Sequence, residues 1–167
     1  MGKELYWVDG PWPGKLAMAA RPRGGDWLRD DLAKWKRAGI DTVLSLLTPD
    51  EDKDLDLGGE ASEARTQGME FDSFPIPDLQ VPTSEAKLAE VLEKVTRTLS
   101  QGKNVVVHCR QGIGRTGLVA ACLLVRKGTS PGAAVEMVSA ARGISVPETS
   151  AQRDWIDHYA VGLSATK

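Results

Sequence analysis

The chain has 167 residues, of which 41% are hydrophobic and 26% charged, and its formal net charge is -2. This length predicts one domain over residues 1–167 with a core that needs no cross-links, and the near balance of charge argues against general nucleic-acid binding, which needs an excess of Lys and Arg. Two cysteines are too few for a disulfide framework. No apolar run reaches the ~20 residues that span a bilayer, and the N-terminus lacks the apolar region of a signal peptide. We therefore expect a soluble cytoplasmic protein without membrane insertion.

Extended and helical patterns alternate in the first half of the chain. The segments typical of strands are 4–8, 14–19, 40–47 and 69–74. Between the second and third of these, Asp26 is expected to N-cap a helix that ends near Ala38, before Gly39. Between the third and fourth, five acidic residues lie within 50–56 without the spacing of a calcium-binding loop. We therefore expect a solvated loop or helix face there.

The second half of the chain begins with a proline-rich loop, "PIPDLQVP", and continues with one more strand, "KNVVVH", among helices. The predicted helices are 83–101, 115–127, 131–142 and 148–161. Strands that alternate with helices predict an α/β domain. We expect a central, mostly parallel sheet of four to five strands flanked by helices.

The loops that follow parallel strands meet at one edge of the sheet, where ligands of open α/β sheets bind. In this chain they are expected to begin at Ala20, Thr48, Pro75 and Cys109. The side chains predicted to line one crevice at that edge are Arg21, Arg23, Asp78 and Cys109.

The stretch "VVVHCRQGIGRTG", residues 105–117, contains a glycine pattern that also occurs in nucleotide-binding loops. A dinucleotide site would need a second strand with an acidic residue about 20 positions further on, but 129–142 is helical in pattern. A Walker loop would need Lys and Ser or Thr after the glycines, and none follows. A purely structural turn remains as an alternative, but it leaves the positions of His108, Cys109 and Arg115 unexplained.

An anion site that carries a nucleophile accounts for all of these residues. Glycines allow the loop between Cys109 and Arg115 to curl, so that its N–H groups converge at the start of a helix and bind an anion. Arg115 adds a permanently charged, planar fork suited to two phosphate oxygens. A cysteine at the mouth of such a positive loop is favoured as the thiolate, its reactive form.

These residues resemble a known family. The sequence "HCRQGIGRTG" is similar to the signature loop H-C-x5-R-S/T of the cysteine-based protein tyrosine phosphatase superfamily, and "PIPD" is similar to its general-acid loop. The small size resembles the dual-specificity branch, and the resemblance extends from about Leu16 to Ile156. It implies a protein tyrosine phosphatase-like fold and a phosphomonoester hydrolase that acts through a phosphocysteine intermediate. Because the sequence has no cluster of His and Cys with the spacing of metal ligands, we expect no catalytic metal, and we expect no cofactor.

The resemblance also implies a role for each site residue. Cys109 would be the nucleophile and Asp78 the general acid, with Asp72 as the fallback. The Thr116 hydroxyl would stabilise the departing thiolate, and Gln152 would position water unless it is an ordinary surface residue. His108 would order the loop. The residues expected to bind phosphate are Arg110, Gln111, Gly112, Ile113, Gly114 and Arg115.

Three substrate readings follow from the sequence. Hydrolysis of phosphorylated proteins by a dual-specificity or tyrosine phosphatase is the leading one. Arg110, with Arg21 and Arg23 near the rim, could instead favour phosphoinositides or inositol phosphates. A catalytically silent phosphate-binding module is the third, although it typically lacks the nucleophile or the acid. Cys122 lies in an apolar helix and is expected in the core, with a redox role beside Cys109 as the alternative.

Overall fold

One five-stranded sheet organises the molecule in the computed structural model, which describes residues 5–165. The strands are β1 Tyr6–Val8, β2 Leu16–Ala19, β3 Thr42–Ser45, β4 Glu70–Ser73 and β5 Val105–His108. Their order in the sheet is β1-β2-β5-β3-β4, and only β1 is antiparallel to its neighbour. The mostly parallel α/β sheet is therefore confirmed. Glu4, at the start of the predicted first strand, lies outside the described residues.

Seven helices accompany the sheet within residues 5–165. They are α1 Leu28–Arg37, α2 Pro49–Asp54, α3 Glu60–Thr66, α4 Glu85–Ser100, α5 Gly114–Arg126, α6 Pro131–Arg142 and α7 Ser150–Ala165. The α3 helix was not predicted, because its sequence, EASEART, carries no apolar stripe. No helix in this part of the chain combines the length and apolar character needed to cross a membrane.

The prediction that Asp26 caps the first long helix is wrong. Asp26 lies inside a short 3-10 turn, and α1 follows that turn without any side-chain cap. The start of the segment is held by backbone instead, since the N–H of Gly25 donates to the carbonyl of Asp56 over 3.1 Å. A side chain at Gly24 would meet the carbonyl oxygen of Leu55 at 2.0 Å, so close backbone approach fixes this entry.

Two apolar clusters cover the two faces of the sheet. Successive residues of a strand point to opposite faces, and accordingly Val105 and Val107 belong to one cluster and Val106 to the other. The first cluster is packed by α4 and by α5, whose residues from Gly114 to Val125 are all buried. The second is packed by Leu32 and Trp35 of α1. Helices thus flank the sheet as expected, and α5 is buried within the first cluster.

The strand register brings the predicted loops to one edge of the sheet. His108, the last residue of β5, pairs with Ala19 at the end of β2 and with Ser45 at the end of β3. Ser45 pairs in turn with Ser73 at the end of β4. The chain therefore leaves four parallel strands at the same level, and the segments after them converge there.

Candidate active site

The loop from Cys109 to Ile113 connects the central strand β5 to the buried helix α5. Cys109 is only 3% exposed. Gly112 has a φ of +72°, and a Cβ added there would lie 2.5 Å from the carbonyl carbon and oxygen of Ala19. Only glycine fits this close approach to the end of β2. The neighbouring strand therefore forces the loop to curl back over the sheet edge.

Arg115 is buried, 1% exposed, in the first turn of α5. Its Nη1 donates to Oε1 of Glu51 over 2.6 Å and to the carbonyl oxygen of Ile76 over 2.8 Å. Its Nη2 donates to Oε2 of Glu51 over 2.9 Å and to Oδ1 of Asp78 over 3.1 Å. The guanidinium plane is thus fixed by a bidentate carboxylate, which is the strongest common geometry for an arginine. Burial alone would lower the pKa of Arg115, but the bonds to Glu51 and the nearby Cys109 outweigh it and raise that pKa.

Glu51 is a site residue that sequence reasoning missed. The acidic run at 50–56 was expected to be solvated, and for Glu51 that prediction is wrong, because this residue is 8% exposed and faces Arg115. Glu51 also forms a reciprocal capping box with Thr48 at the start of α2. Burial acts to raise the pKa of Glu51, but the bonds from Arg115 and Thr48 prevail and lower it. The carboxylate is therefore an oriented anion held in place by its own helix.

Asp78 lies in the same cleft as Cys109. This cleft, of about 250 Å³, is lined by Asp78, Leu79, Cys109, Arg110, Gln111 and Glu148. The Asp78 side chain is 47% exposed, and its Oδ1 accepts from the N–H of Leu79 over 3.0 Å as well as from Arg115. Asp72, the fallback acid, lies on β4 and instead pairs with Lys94 of α4 over 2.9 Å. Of the two candidate acids, the structure thus places Asp78, and not Asp72, in the cleft that Cys109 lines.

His108 is completely buried beneath the loop. Its Nε2 lies 2.6 Å from Oε2 of Glu60, and its Nδ1 lies 3.3 Å from the carbonyl oxygen of Cys109. Its ring also lies 5.8 Å from that of Trp35. Glu60, at the start of the unpredicted helix α3, is a second residue that sequence reasoning missed. His108 is therefore enclosed by its neighbours and contacts the backbone of Cys109 from below the loop.

Thr116 and Gln152 are both fully buried. The Thr116 hydroxyl has no hydrogen-bond partner among residues 5–165. The Gln152 Oε1 accepts from the N–H groups of Glu148 and Thr149, over 3.1 and 3.2 Å, and its Nε2 donates to the carbonyl of Gln80 over 3.1 Å. The alternative of a surface glutamine is therefore wrong: this side chain ties the segment before α7 to the loop that carries Asp78.

Glu148 is a third residue that the sequence did not indicate. Its Oε1 accepts from the N–H of Gly114 over 3.2 Å, at the point where the loop enters α5. A helix N-terminus of this kind attracts anions. The Glu148 carboxylate therefore accepts a hydrogen bond from the amide of Gly114, one of the residues that the sequence analysis expected to bind phosphate.

Arg21 and Arg23 do not line the cleft that holds Cys109, so the expected single crevice is wrong in this respect. Both line a neighbouring pocket, where Arg23 pairs with Asp31 over 2.7 Å. The predicted crevice is divided in two because the segment after Cys109 lies between the two pockets, where the carbonyl of Arg110 accepts from the N–H of Arg21 over 3.3 Å.

Cys122 is fully buried in α5, where burial raises the pKa of its thiol.

Comparisons with known proteins place the chain in a family. A family model described as "Polymorphic toxin system, DSP-PTPase phosphatase" matches residues 17–129. Cyclin-dependent kinase inhibitor 3 of Rattus norvegicus is 26% identical over 140 residues, which are 83% of this chain and 66% of the relative. This chain thus spans slightly less than two thirds of that relative's length.

Solved structures show the same fold. Kinase associated phosphatase, with its catalytic cysteine replaced by serine, superimposes with a TM-score of 0.88 at 22% identity, over 99% of this chain and 98% of that one. The active form of Tk-PTP gives a TM-score of 0.79 at 26% identity, over 96% and 99%. The family match includes Asp78, Cys109, Arg115 and Thr116. The chain belongs to the DSP-PTPase phosphatases, a dual-specificity branch of the cysteine-based protein tyrosine phosphatases.

Proposed function

We propose that this chain, as one phosphatase domain over residues 1–167, hydrolyses phosphomonoesters through a phosphocysteine intermediate, and that its substrates are phosphorylated protein side chains. The observation that carries the proposal is the arrangement around Arg115. Its guanidinium is clamped by Glu51 and also bonded to Asp78, while Asp78 and Cys109 line one cleft. An oriented cation, a thiol and a carboxylate thus lie together at the loop that leads into α5.

In the first step, the Cys109 thiolate attacks phosphorus. An S–P bond forms while the bond between phosphorus and the ester oxygen breaks, and Asp78 transfers its proton to that oxygen, so that the alcohol or phenol leaves neutral. Arg115 and the loop amides bind the equatorial phosphate oxygens as charge shifts among them. Incoming phosphate competes with Asp78 for Nη2 of Arg115, which releases Asp78 toward the leaving group.

In the second step, water attacks the phosphorus of phosphocysteine. Asp78, now a carboxylate, takes a proton from the water, and the S–P bond breaks to give orthophosphate and the thiolate. The buried Thr116 hydroxyl, which has no partner within residues 5–165, donates to the departing thiolate. Gln152 is buried beside the loop and bonded to Gln80 and to the segment before α7. It keeps the wall of the cleft in place, and the attacking water is held at the edge of that wall.

The charge of the cleft favours a singly phosphorylated protein side chain over an inositol polyphosphate. Arg110 lines the cleft together with the carboxylates of Asp78 and Glu148, and Asp78 also accepts from the buried Arg115, whereas Arg21 and Arg23 line a separate pocket. Extra phosphates on one small ring would meet those carboxylates in the cleft. Catalysis by a free thiol also requires reducing conditions, which favours the cytoplasm as the place of action.

The test compares turnover of p-nitrophenyl phosphate, phosphotyrosine and phosphoserine peptides, and a phosphoinositide by the wild type, Cys109→Ser and Cys122→Ser. Wild type and Cys122→Ser are expected to hydrolyse the aryl ester and phosphopeptides, and Cys109→Ser to be inactive. Rapid acid quench of wild type with a ³²P-labelled peptide should trap phosphate on Cys109. Hydrolysis by Cys109→Ser at the wild-type rate would refute the mechanism, and preference for the phosphoinositide would refute the substrate class.

A further inference from the structure

The phosphate loop, residues 109–113, can bind an anion through its backbone only if its N–H groups face the cleft that Cys109 lines. In a planar trans peptide, the C=O of one residue and the N–H of the next point in opposite directions. The loop must therefore turn its carbonyls away from the cleft, and those carbonyls then need donors elsewhere. The groups that supply these donors determine the shape of the loop.

The first two carbonyls of the loop face residues outside the cleft. The carbonyl oxygen of Cys109 lies 3.3 Å from Nδ1 of His108, and the carbonyl of Arg110 accepts from the N–H of Arg21 over 3.3 Å. Neither His108 nor Arg21 lines the cleft. The peptide units that begin the loop are therefore oriented from the side opposite to the phosphate.

Arg142, the last residue of α6, holds the next two carbonyls. Its Nη2 donates to the carbonyl of Gln111 and its Nε to the carbonyl of Gly112, each over 3.1 Å. The same two peptide units carry the N–H groups of Gly112 and Ile113, which therefore point the other way. Those two N–H groups have no acceptor among residues 5–165. One side chain on a separate helix thus sets the direction of two amides that are available to an anion.

The plane of the Arg142 guanidinium is itself fixed. Its central carbon lies 4.1 Å from the centre of the Tyr6 ring on β1, which is within the range of a cation–π contact. On the other side of the loop, Gly112 approaches the backbone of Ala19 so closely that a Cβ would lie 2.5 Å away. The loop is therefore held between the end of β2 and the end of α6.

We propose that Arg142 is a positioning residue of the active site, which aims the N–H groups of Gly112 and Ile113 at the phosphate, and that Tyr6 fixes the plane of its guanidinium. Arg142 does not line the cleft that Cys109 lines, so it acts on the anion through the loop. The catalytic consequence rests on the proposed phosphatase function, but the effect on anion binding does not.

The experiment measures the Kd of inorganic phosphate for ¹⁵N-labelled Cys109→Ser protein from the NMR shifts of amides 110–113. Arg142→Ala should raise this Kd about tenfold or more, because two hydrogen-bond donors lose their orientation. Arg142→Lys keeps the charge and the apolar stem, yet should still raise it about threefold or more, because an ammonium lacks the planar fork. The matched control is Arg37→Ala, which removes the exposed last residue of α1 and should leave the Kd unchanged.

Free guanidinium distinguishes positioning from a loss of stability. The Arg142 side chain borders a surface pocket of about 380 Å³, so in Arg142→Ala a guanidinium ion can enter the place of the missing group. At millimolar concentration it should restore phosphate binding severalfold in Arg142→Ala, whereas sodium chloride of the same ionic strength should not. Protein that retains Arg142 should show no gain. If Arg142→Ala were merely less stable, guanidinium would weaken binding further, because it favours unfolding.

Two variants of Tyr6 test the contact with the ring. Tyr6→Phe keeps an aromatic face and should retain the phosphate Kd, whereas Tyr6→Leu should raise it about two- to fivefold. Equal Kd values in these two variants would overturn the role of Tyr6.

The outcomes for Arg142 are separable from those for the phosphatase activity. With Cys109 present, Arg142→Ala should lower kcat/KM for p-nitrophenyl phosphate about tenfold or more, and guanidinium should raise it again. An unchanged phosphate Kd in Arg142→Ala, or a loss that guanidinium deepens, overturns the proposal. Absent turnover by the wild type, together with a phosphate Kd that responds to Arg142→Ala and to guanidinium, would refute the phosphatase proposal and support the role of Arg142.

Discussion

Glu51 and Arg115, 64 residues apart in the chain, form a bidentate pair with distances of 2.6 and 2.9 Å at the floor of the active site. The carboxylate belongs to the first turn of α2 and the guanidinium to the first turn of α5. The two helices begin at neighbouring strand ends, β3 and β5. The pair therefore joins the segments that follow β3 and β5 and fixes the plane of the Arg115 guanidinium.

Replacement of Glu51 by Gln should lower kcat/KM by about 10²-fold, because a small misplacement of a positioning group has effects of that size. It should also lower the free energy of unfolding by roughly 3 kcal/mol, because a buried charge loses its partner. The measurements are steady-state kinetics with p-nitrophenyl phosphate and urea unfolding. Asp50→Asn, an exposed neighbour in the same turn, is the matched control. Wild-type kinetics in Glu51→Gln would show that Arg115 needs no clamp.

Acid should remove the contribution of this pair to stability. The pKa of Glu51 in the folded protein is below its ordinary value of 4.5, since the bonds from Arg115 and Thr48 outweigh burial. The unfolded chain thus binds the proton more readily, and the stabilisation is complete above about pH 4.5 and is lost as pH falls through the lowered folded-state value. Thermal unfolding of wild type and Glu51→Gln should differ clearly at pH 7 and converge on acidification. A constant difference between pH 7 and pH 3 would contradict this.

Asp78→Asn should separate the proton donor from the rest of the site. We expect kcat for a phosphotyrosine peptide to fall about 10²–10⁴-fold, the usual contribution of a general acid. An aryl ester whose leaving group needs no proton should be affected far less. Asp72→Asn, which disturbs the exposed pair with Lys94, serves as the control and should retain wild-type rates. Equal losses in the two variants would exclude the assignment of Asp78.

Glu148→Gln should tighten the binding of inorganic phosphate. The Glu148 carboxylate accepts from the N–H of Gly114, and its charge opposes any anion in the same loop. Its removal should lower the inhibition constant of phosphate about fivefold, which corresponds to about 1 kcal/mol. The control is Glu136→Gln on the exposed side of α6. An unchanged inhibition constant would show that Glu148 and phosphate do not compete.

Local signals in the sequence were sufficient for part of the site. Cys109 and Arg115 lie in one short loop between a β-branched strand and an apolar helix, so their spacing alone predicts an anion site with a nucleophile. Asp78 follows from the proline-rich loop, because the ends of parallel strands meet at one edge. The structure places Asp78 and Cys109 in one cleft, as that topology predicted.

The remaining site residues depend on partners far away in the chain. Glu51 lies in a run of acids whose other members are partly or fully exposed, and only Arg115, supplied from α5, makes it a buried residue. The Thr48–Glu51 capping box was the one local signal that could have singled it out. Glu60 pairs with His108 across 48 positions, and its short helix has no apolar pattern. Asp26 failed as a cap because backbone contacts with Leu55 and Asp56 set the start of that segment.

Because four strand ends converge at one edge of the sheet, catalytic activity should depend on the folding of the whole sheet. Ala19, Ser45, Ser73 and His108 reach the same level only when β2, β3, β4 and β5 are paired in register. The contacts of Arg115 then draw on two further segments, α2 through Glu51 and the loop after β4 through Ile76 and Asp78. A partly unfolded chain that keeps the Cys109 loop but loses one strand would have no complete centre. Turnover should therefore disappear together with the sheet during denaturation, in a single cooperative transition.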